Sequence, residues 1–276
     1  MPTVRTEDAE LYVEVDGEGK PVTVLAHGLT NNRNELAMFT PFVPGTKVRF
    51  DFRGHGRSSA PPDPRAFGFA DLARDLDAVA RAYRATVAVG TSLGAGAIAH
   101  LLGRDPDRFE RTVWLLPAGL DRPFAFRDRY EAIAEELQGA TPDEAVRAVM
   151  ADPDLVVERL QAPWRSEGNP VRWEHDDPDG LARAIRGAIS DFPVTDRELL
   201  RRVERPVLLI CIEGDEIHPA ELGRILAGLM SNAELIVYPD QDALFAAVPE
   251  LVPRVASFIG GGSGGLKERA SGGDRT

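Results

Sequence analysis

The chain has 276 residues, 43% of them hydrophobic and 28% charged, with a formal net charge of −12. That length and apolar content suit one large α/β domain or two small ones, and the acidic balance argues against nucleic acid or an anionic membrane surface as a partner. A single cysteine, Cys211, excludes an internal disulfide framework.

No apolar run follows a basic start at the N-terminus, and no stretch approaches the roughly 18 apolar residues of a membrane span. The expectation is a soluble, cytoplasmic protein. Residues 9–15 alternate like a half-buried strand and turn at 16–19. Residues 22–26 are a continuous apolar strand ending in His27-Gly28-Leu29-Thr30, and the spacing predicts a helix over 33–40. The next strand, 48–52, runs into Arg53-Gly54-His55-Gly56-Arg57-Ser58. Leu72, Leu76, Val79 and Ala80 recur at helical intervals within 70–83.

Then comes Val87-Ala88-Val89-Gly90-Thr91-Ser92-Leu93-Gly94, a β-branched run, G-x-S-x-G, and an Ala-rich helix start. Strand, sharp turn and helix are the context in which a serine hydroxyl is lifted above a sheet, over the free N–H groups of a helix N-terminus. Residues 112–116 form another buried strand. The alternation predicts a mostly parallel, doubly wound sheet of about eight strands with helices on both faces.

The pattern breaks between about 121 and 203, a charged, proline-punctuated segment containing Trp164, Trp173 and His175. It reads as a helical lid inserted into a core made of 1–120 and 204–259, with the two tryptophans as lid packing. The sheet pattern resumes at 207–212, with a helix near 219–230, a strand at 235–238 and a helix near 249–259. Cys211 lies inside the first of these strands and reads as an inert core residue. The Gly-rich residues 260–276 are expected to be disordered.

Taken in order, these markers make the chain resemble the α/β-hydrolase fold family over residues 9 to 259. His27-Gly28 looks like the family's oxyanion loop, 51–58 like its D-x-R-G-x-G-x-S turn, 90–94 like its nucleophile elbow, 117–120 like the exit into its lid, and 213–219 like its acid-bearing loop. The resemblance implies Ser92 as nucleophile, Asp215 as the acid, and the backbone N–H groups of Leu29 and Leu93 as the oxyanion hole. A small-molecule substrate is expected, and since no metal-ligand cluster of Cys and His occurs in the sequence, no metal or other cofactor is expected.

One feature departs from the family pattern. The family places its histidine after the last strand, where counting back from Pro249 puts Gln241-Asp242, and no histidine follows His218. A serine hydroxyl needs a base. A carboxylate at Asp242 is shorter and less basic than imidazole. Protonated, it would act as an acid or a hydrogen-bond donor to substrate. Of the five histidines, His27 belongs to the oxyanion loop, His55 to the Arg-Gly-His-Gly turn, His100 to a helix, and His175 to a solvated lid position. His218, three residues past Asp215, is the candidate relocated base. Asp121 is an alternative acid, and Asp51 and Arg53 read as ties within their turn.

Three functions follow. The first is a serine hydrolase of a small ester, lactone or thioester with His218 as an atypical base. The second is a non-catalytic hydrolase-fold protein that binds a small molecule or a partner. The third is a lyase or cyclase in the same pocket. Fold alone does not separate them.

Overall fold

Strand and helix alternate because apolar runs of β-branched residues are separated by amphipathic segments at helical spacing. The computed structural model describes residues 2–37, 40–122, 124, 126–150 and 174–262. Its strands are β1 (Thr3–Arg5), β2 (Glu10–Asp16), β3 (Val22–Ala26), β4 (Thr46–Phe50), β5 (Val87–Thr91), β6 (Arg111–Leu115), β7 (Val207–Ile212) and β8 (Ala233–Tyr238). They form one eight-stranded sheet in the order β1-β2-β4-β3-β5-β6-β7-β8. The β1–β2 and β2–β4 pairs are antiparallel and every other pair is parallel.

Successive side chains of a strand point to opposite faces, and here both faces are covered. Val24 and Ala88 join a core shared with α1 (Phe69–Ala82), α2 (Leu93–Arg104) and α6 (Ala220–Leu229). Leu25, Val89 and Ile210 join a second core beneath α7 (Gln241–Ile259). This double burial is why the strands read as unbroken apolar runs. β5 lies between β3 and β6 with Val89 opposite Leu25 and Val113, so its carboxyl end opens at the middle of the sheet.

Between β6 and β7 lie α3 (Arg127–Leu137), α4 (Pro142–Met150), α5 (Pro178–Ser190) and a 3-10 turn at Arg197–Arg202. No strand occurs among the described residues of 121–203. Asp177 caps α5 by accepting from Gly180 N at 2.8 Å, and Pro178 follows where a missing N–H costs nothing. Arg186 of α5 reaches Glu131 of α3 at 2.6 Å. The expectations for Trp164, Trp173 and residues 263–276 lie outside the described residues.

Four boundaries differ from expectation. Residues 33–36 form turns rather than the start of an α-helix. Asn31 and Asn32 side chains capture the N–H groups of Asn32 and Asn34, at 3.1 and 3.0 Å, and compete with helical hydrogen bonds. α7 begins at Gln241 rather than near 249, because Asp240 caps it through Ala243 N at 2.7 Å and Pro249 and Pro253 are accommodated inside. β4 spans 46–50 rather than 48–52, and β1 is a short edge strand without a sequence signal.

The turn after β4 is tied as expected. Asp51 accepts from Arg33 N and Arg57 N at 2.7 and 2.9 Å, and pairs with the Arg33 guanidinium at 3.0 Å. Arg53 is fully buried and holds Asp75 of α1 through Nη2 and Nε at 2.6 and 2.8 Å. Removing Asp75 takes from the buried Arg53 charge its two shortest contacts and leaves it Asp8 at 3.1 Å; breaking a buried pair typically costs about 3–5 kcal/mol. Asp75→Ala is therefore expected to destabilise the protein by about 3 kcal/mol in urea unfolding, and a loss below about 1 kcal/mol would contradict this role.

Candidate active site

β5 feeds Ser92 into a backbone conformation of φ 49° and ψ −104°, a left-handed region that costs a non-glycine residue about 1–3 kcal/mol. The strain is held from both sides: Ser92 N donates to Leu115 O at 2.9 Å, and Ser92 O accepts from Gly96 N at 3.0 Å. Two glycines make the turn possible. A Cβ on Gly90 would lie 2.5 Å from the Gly94 carbonyl carbon, and one on Gly94 would collide with the Ala26 carbonyl oxygen. The serine thus stands at the N-terminus of α2, where Leu93 N–H has no acceptor within the helix.

The second part comes from the loop after β7. Gly214 turns the chain at φ 70°, and a bridge between Ile212 and Pro219 closes the loop at its base. Inside it, Asp215 Oδ1 accepts from Ile217 N and His218 N, both at 2.9 Å. Its Oδ2 lies 3.0 Å from His218 Nδ1, and His218 Nε2 lies 3.1 Å from Ser92 Oγ. A carboxylate only accepts, so the Asp215 contact assigns the imidazole proton to Nδ1. Nε2 is then left as the acceptor for the Ser92 hydroxyl. Burial opposes the Asp215 charge, but the hydrogen bond and charge of His218, with the two N–H groups, outweigh it and hold the carboxyl below its ordinary range.

The third part is the loop after β3. Leu29 and Leu93 are both buried and line one cleft with Ser92. Three side chains hold this loop. Glu35 accepts from Gly28 N and from Asn31 Nδ2, both at 2.7 Å. His27 accepts from Phe52 N at 3.0 Å through Nε2 and donates to Gly28 O at 2.8 Å through Nδ1. His175 corrects the expectation of a solvated position. It is buried, its Nδ1 accepts from Gly56 N at 2.7 Å, and its Nε2 donates to Thr30 O at 3.2 Å. Thr30 itself sits at φ 63°, an unfavourable conformation for a β-branched residue. Residue 175 thus ties the region between β6 and β7 to the strained loop beside Ser92.

The remaining candidates lie elsewhere. Asp242 is exposed in the first turn of α7. Asp121 pairs with Arg197, with 2.6 Å from Nε. His55 is buried against His27 and His175; burial first, then these two neighbours, push its pKa well down, and Nδ1 donates to Arg53 O at 3.0 Å. His100 donates to Pro193 O at 2.8 Å, and Cys211 is buried, its thiol pushed up to about 11 by burial. Among the described residues no three His, Cys, Asp or Glu side chains gather as a metal site. Among the described residues no helix is long and apolar enough to cross a membrane.

The cleft over Ser92 encloses about 460 Å³ of empty space, the open solvent at its mouth included. Phe69, Phe124, Tyr130 and Ile189 give it apolar walls. Sequence reasoning missed Glu35 and His175 as supports of the site. Their partners are mostly backbone groups, for His175 more than a hundred residues away, and no local spacing reports them.

A model of the alpha/beta hydrolase fold matches residues 21–245. A bifunctional esterase/perhydrolase of Acinetobacter calcoaceticus is 28% identical over 255 residues, which are 87% of this chain and 91% of that protein. Among solved structures, a hydrolase from Pseudomonas aeruginosa superposes with a TM-score of 0.73 at 24% identity, covering 94% of this chain and 98% of that one. An enol-lactonase from Burkholderia xenovorans superposes with a TM-score of 0.69 at 20% identity, covering 94% and 100%. At these identities the structural likeness speaks for the fold alone.

His175→Ala removes two buried hydrogen bonds and leaves Gly56 N–H without its acceptor. The expected loss is about 1–3 kcal/mol, read as a Tm lower by roughly 3–10 °C. An unchanged Tm would show that His175 does not anchor the loop.

Proposed function

The chain belongs to the alpha/beta hydrolase fold family, and from that membership we propose that it is a serine hydrolase cleaving a small ester, lactone or thioester. The observation that carries the reading is the continuous path Ser92 Oγ to His218 Nε2 at 3.1 Å and His218 Nδ1 to Asp215 Oδ2 at 3.0 Å. It meets the geometric requirement for an activated nucleophile, a base within hydrogen-bond reach and a third group that orients the base.

In this mechanism Ser92 Oγ attacks the acyl carbon as its proton passes to His218 Nε2. Asp215 stabilises the resulting imidazolium. The oxygen that gains negative charge is held by Leu93 N–H and Leu29 N–H, donors fixed before the reaction begins. Collapse of the tetrahedral intermediate expels the alcohol or thiol, which takes the proton from His218. Water then attacks the acyl-serine with His218 again as base, releasing the carboxylic acid and restoring the hydroxyl. Acid and base thus share one loop, and the chain order Ser, Asp, His is kept.

In this reading Asp242 takes no part in the proton path, and its place in the first turn of α7 suits a carboxylate at a helix N-terminus. The described residues of 121–203 act as a lid over the cleft, with Phe124, Tyr130 and Ile189 shaping the substrate's surroundings. Support comes from the apolar lining of the cleft and from the esterase and enol-lactonase names of the relatives.

Ester hydrolysis by the wild type, Ser92→Ala and His218→Ala tests this. Ser92→Ala should abolish turnover of ethyl butyrate. His218→Ala should lower kcat/KM by about 100-fold or more, the usual contribution of a positioned base. Near-full activity of His218→Ala would overturn the assignment of the base.

A further inference from the structure

The cleft over Ser92 has two charged side chains among its described lining residues, Asp191 and Arg122. Asp191 is committed to the fold. Its Oδ2 accepts from Phe69 N at 2.8 Å, at the positive N-terminal end of α1. Arg122 is different. It is exposed, and among the described residues no carboxylate lies within ion-pair distance of it.

Residues on both sides of it are anchored. Leu120 O accepts from Val194 N at 2.8 Å, and Asp121 pairs with Arg197. On the other side Phe124 packs edge-on against Tyr130, with centroids 5.3 Å apart, and both rings line the same cleft. Arg122 thus lines an apolar cleft that also contains Ser92. The chain as a whole carries a net charge of −12, a field that repels anionic ligands, so a local cation is what would bring one in.

We propose that Arg122 is an anion subsite at the mouth of the cleft, and that the substrate is a short ester or lactone bearing a second, ionised carboxylate. The inference rests on the hydrolase reading above. The guanidinium fork matches a carboxylate with two parallel N–H donors. The apolar walls take the carbon chain between the two ends, while the acyl carbonyl meets Ser92. Because Arg122 is exposed, its attraction is screened by salt.

The test compares two esters that differ only in the terminal carboxylate, monoethyl glutarate and ethyl butyrate, followed by proton release. The wild type should prefer the glutarate, and the preference should shrink as KCl is raised. In Arg122→Ala the ratio of the two kcat/KM values should fall by about three- to fivefold, chiefly through KM, the upper part of what an exposed charge pair gives. Arg122→Lys should keep part of the preference, since it keeps the charge without the fork. A wild type that prefers ethyl butyrate, or an Arg122→Ala ratio within about twofold of wild type, overturns the proposal. If neither ester is turned over, the hydrolase reading fails. Calorimetric binding of monoethyl glutarate then decides the subsite: a Kd weakened about three- to fivefold by Arg122→Ala upholds it, and no binding or an equal Kd overturns it.

Discussion

The hydrogen bond between Asp215 and His218 orients the imidazole that meets Ser92. An imidazole in a loop has two tautomers and free rotation about its side chain, and either is enough to turn its lone pair away from a nucleophile. Here the carboxylate takes the proton of Nδ1 and, through its other oxygen, the backbone N–H groups of Ile217 and His218. The three contacts lie within four consecutive residues, closed at the base by the Ile212–Pro219 bridge. The imidazole is therefore oriented by local geometry rather than by a second loop. It meets Ser92 because β5 and β7, both flanking β6, deliver their carboxyl ends to the same edge of the sheet. Sites in open parallel sheets form at that edge.

The rest of the site opposes strain. Ser92 and Thr30 both occupy positive φ, and they adjoin Leu93 and Leu29, which line the cleft. Each is fixed by contacts from distant parts of the chain: Leu115 O for Ser92, His175 for Thr30. Glu35 ties the loop after β3 together through Gly28 N and Asn31, and His27 holds it against the turn after β4 through Phe52 N. A buried cluster of three imidazoles, His27, His55 and His175, lies behind this loop. His27 and His175 each accept a backbone N–H, which requires one unprotonated ring nitrogen in each. Charge in this cluster would break those hydrogen bonds, so the loop depends on the histidines staying neutral.

Much of this is legible in the sequence, for identifiable reasons. The elbow is legible because close passage of strand and helix demands Gly90 and Gly94, and because β5 is a β-branched run. The contact between His218 and Asp215 is legible because they share one loop, and spacing within a loop is visible in sequence. The turn ties of Asp51 and Arg53 are legible as charges beside a glycine-rich corner. His175 is not legible, because burial of a polar residue depends on partners over a hundred residues away. Glu35 is not legible because its segment reads as a helix until the Asn31 and Asn32 side chains take its backbone donors. Arg122 gains meaning only when the cleft is known.

The central claim is that His218 activates Ser92, and the reactivity of that hydroxyl toward a fluorophosphonate measures it without any knowledge of the substrate. The labelling rate should be compared between the wild type and His218→Ala, with Ser92→Ala as the blank. His218→Ala should label about 100-fold more slowly or worse, because the hydroxyl then has no base to take its proton. Labelling of His218→Ala at the wild-type rate would contradict the account.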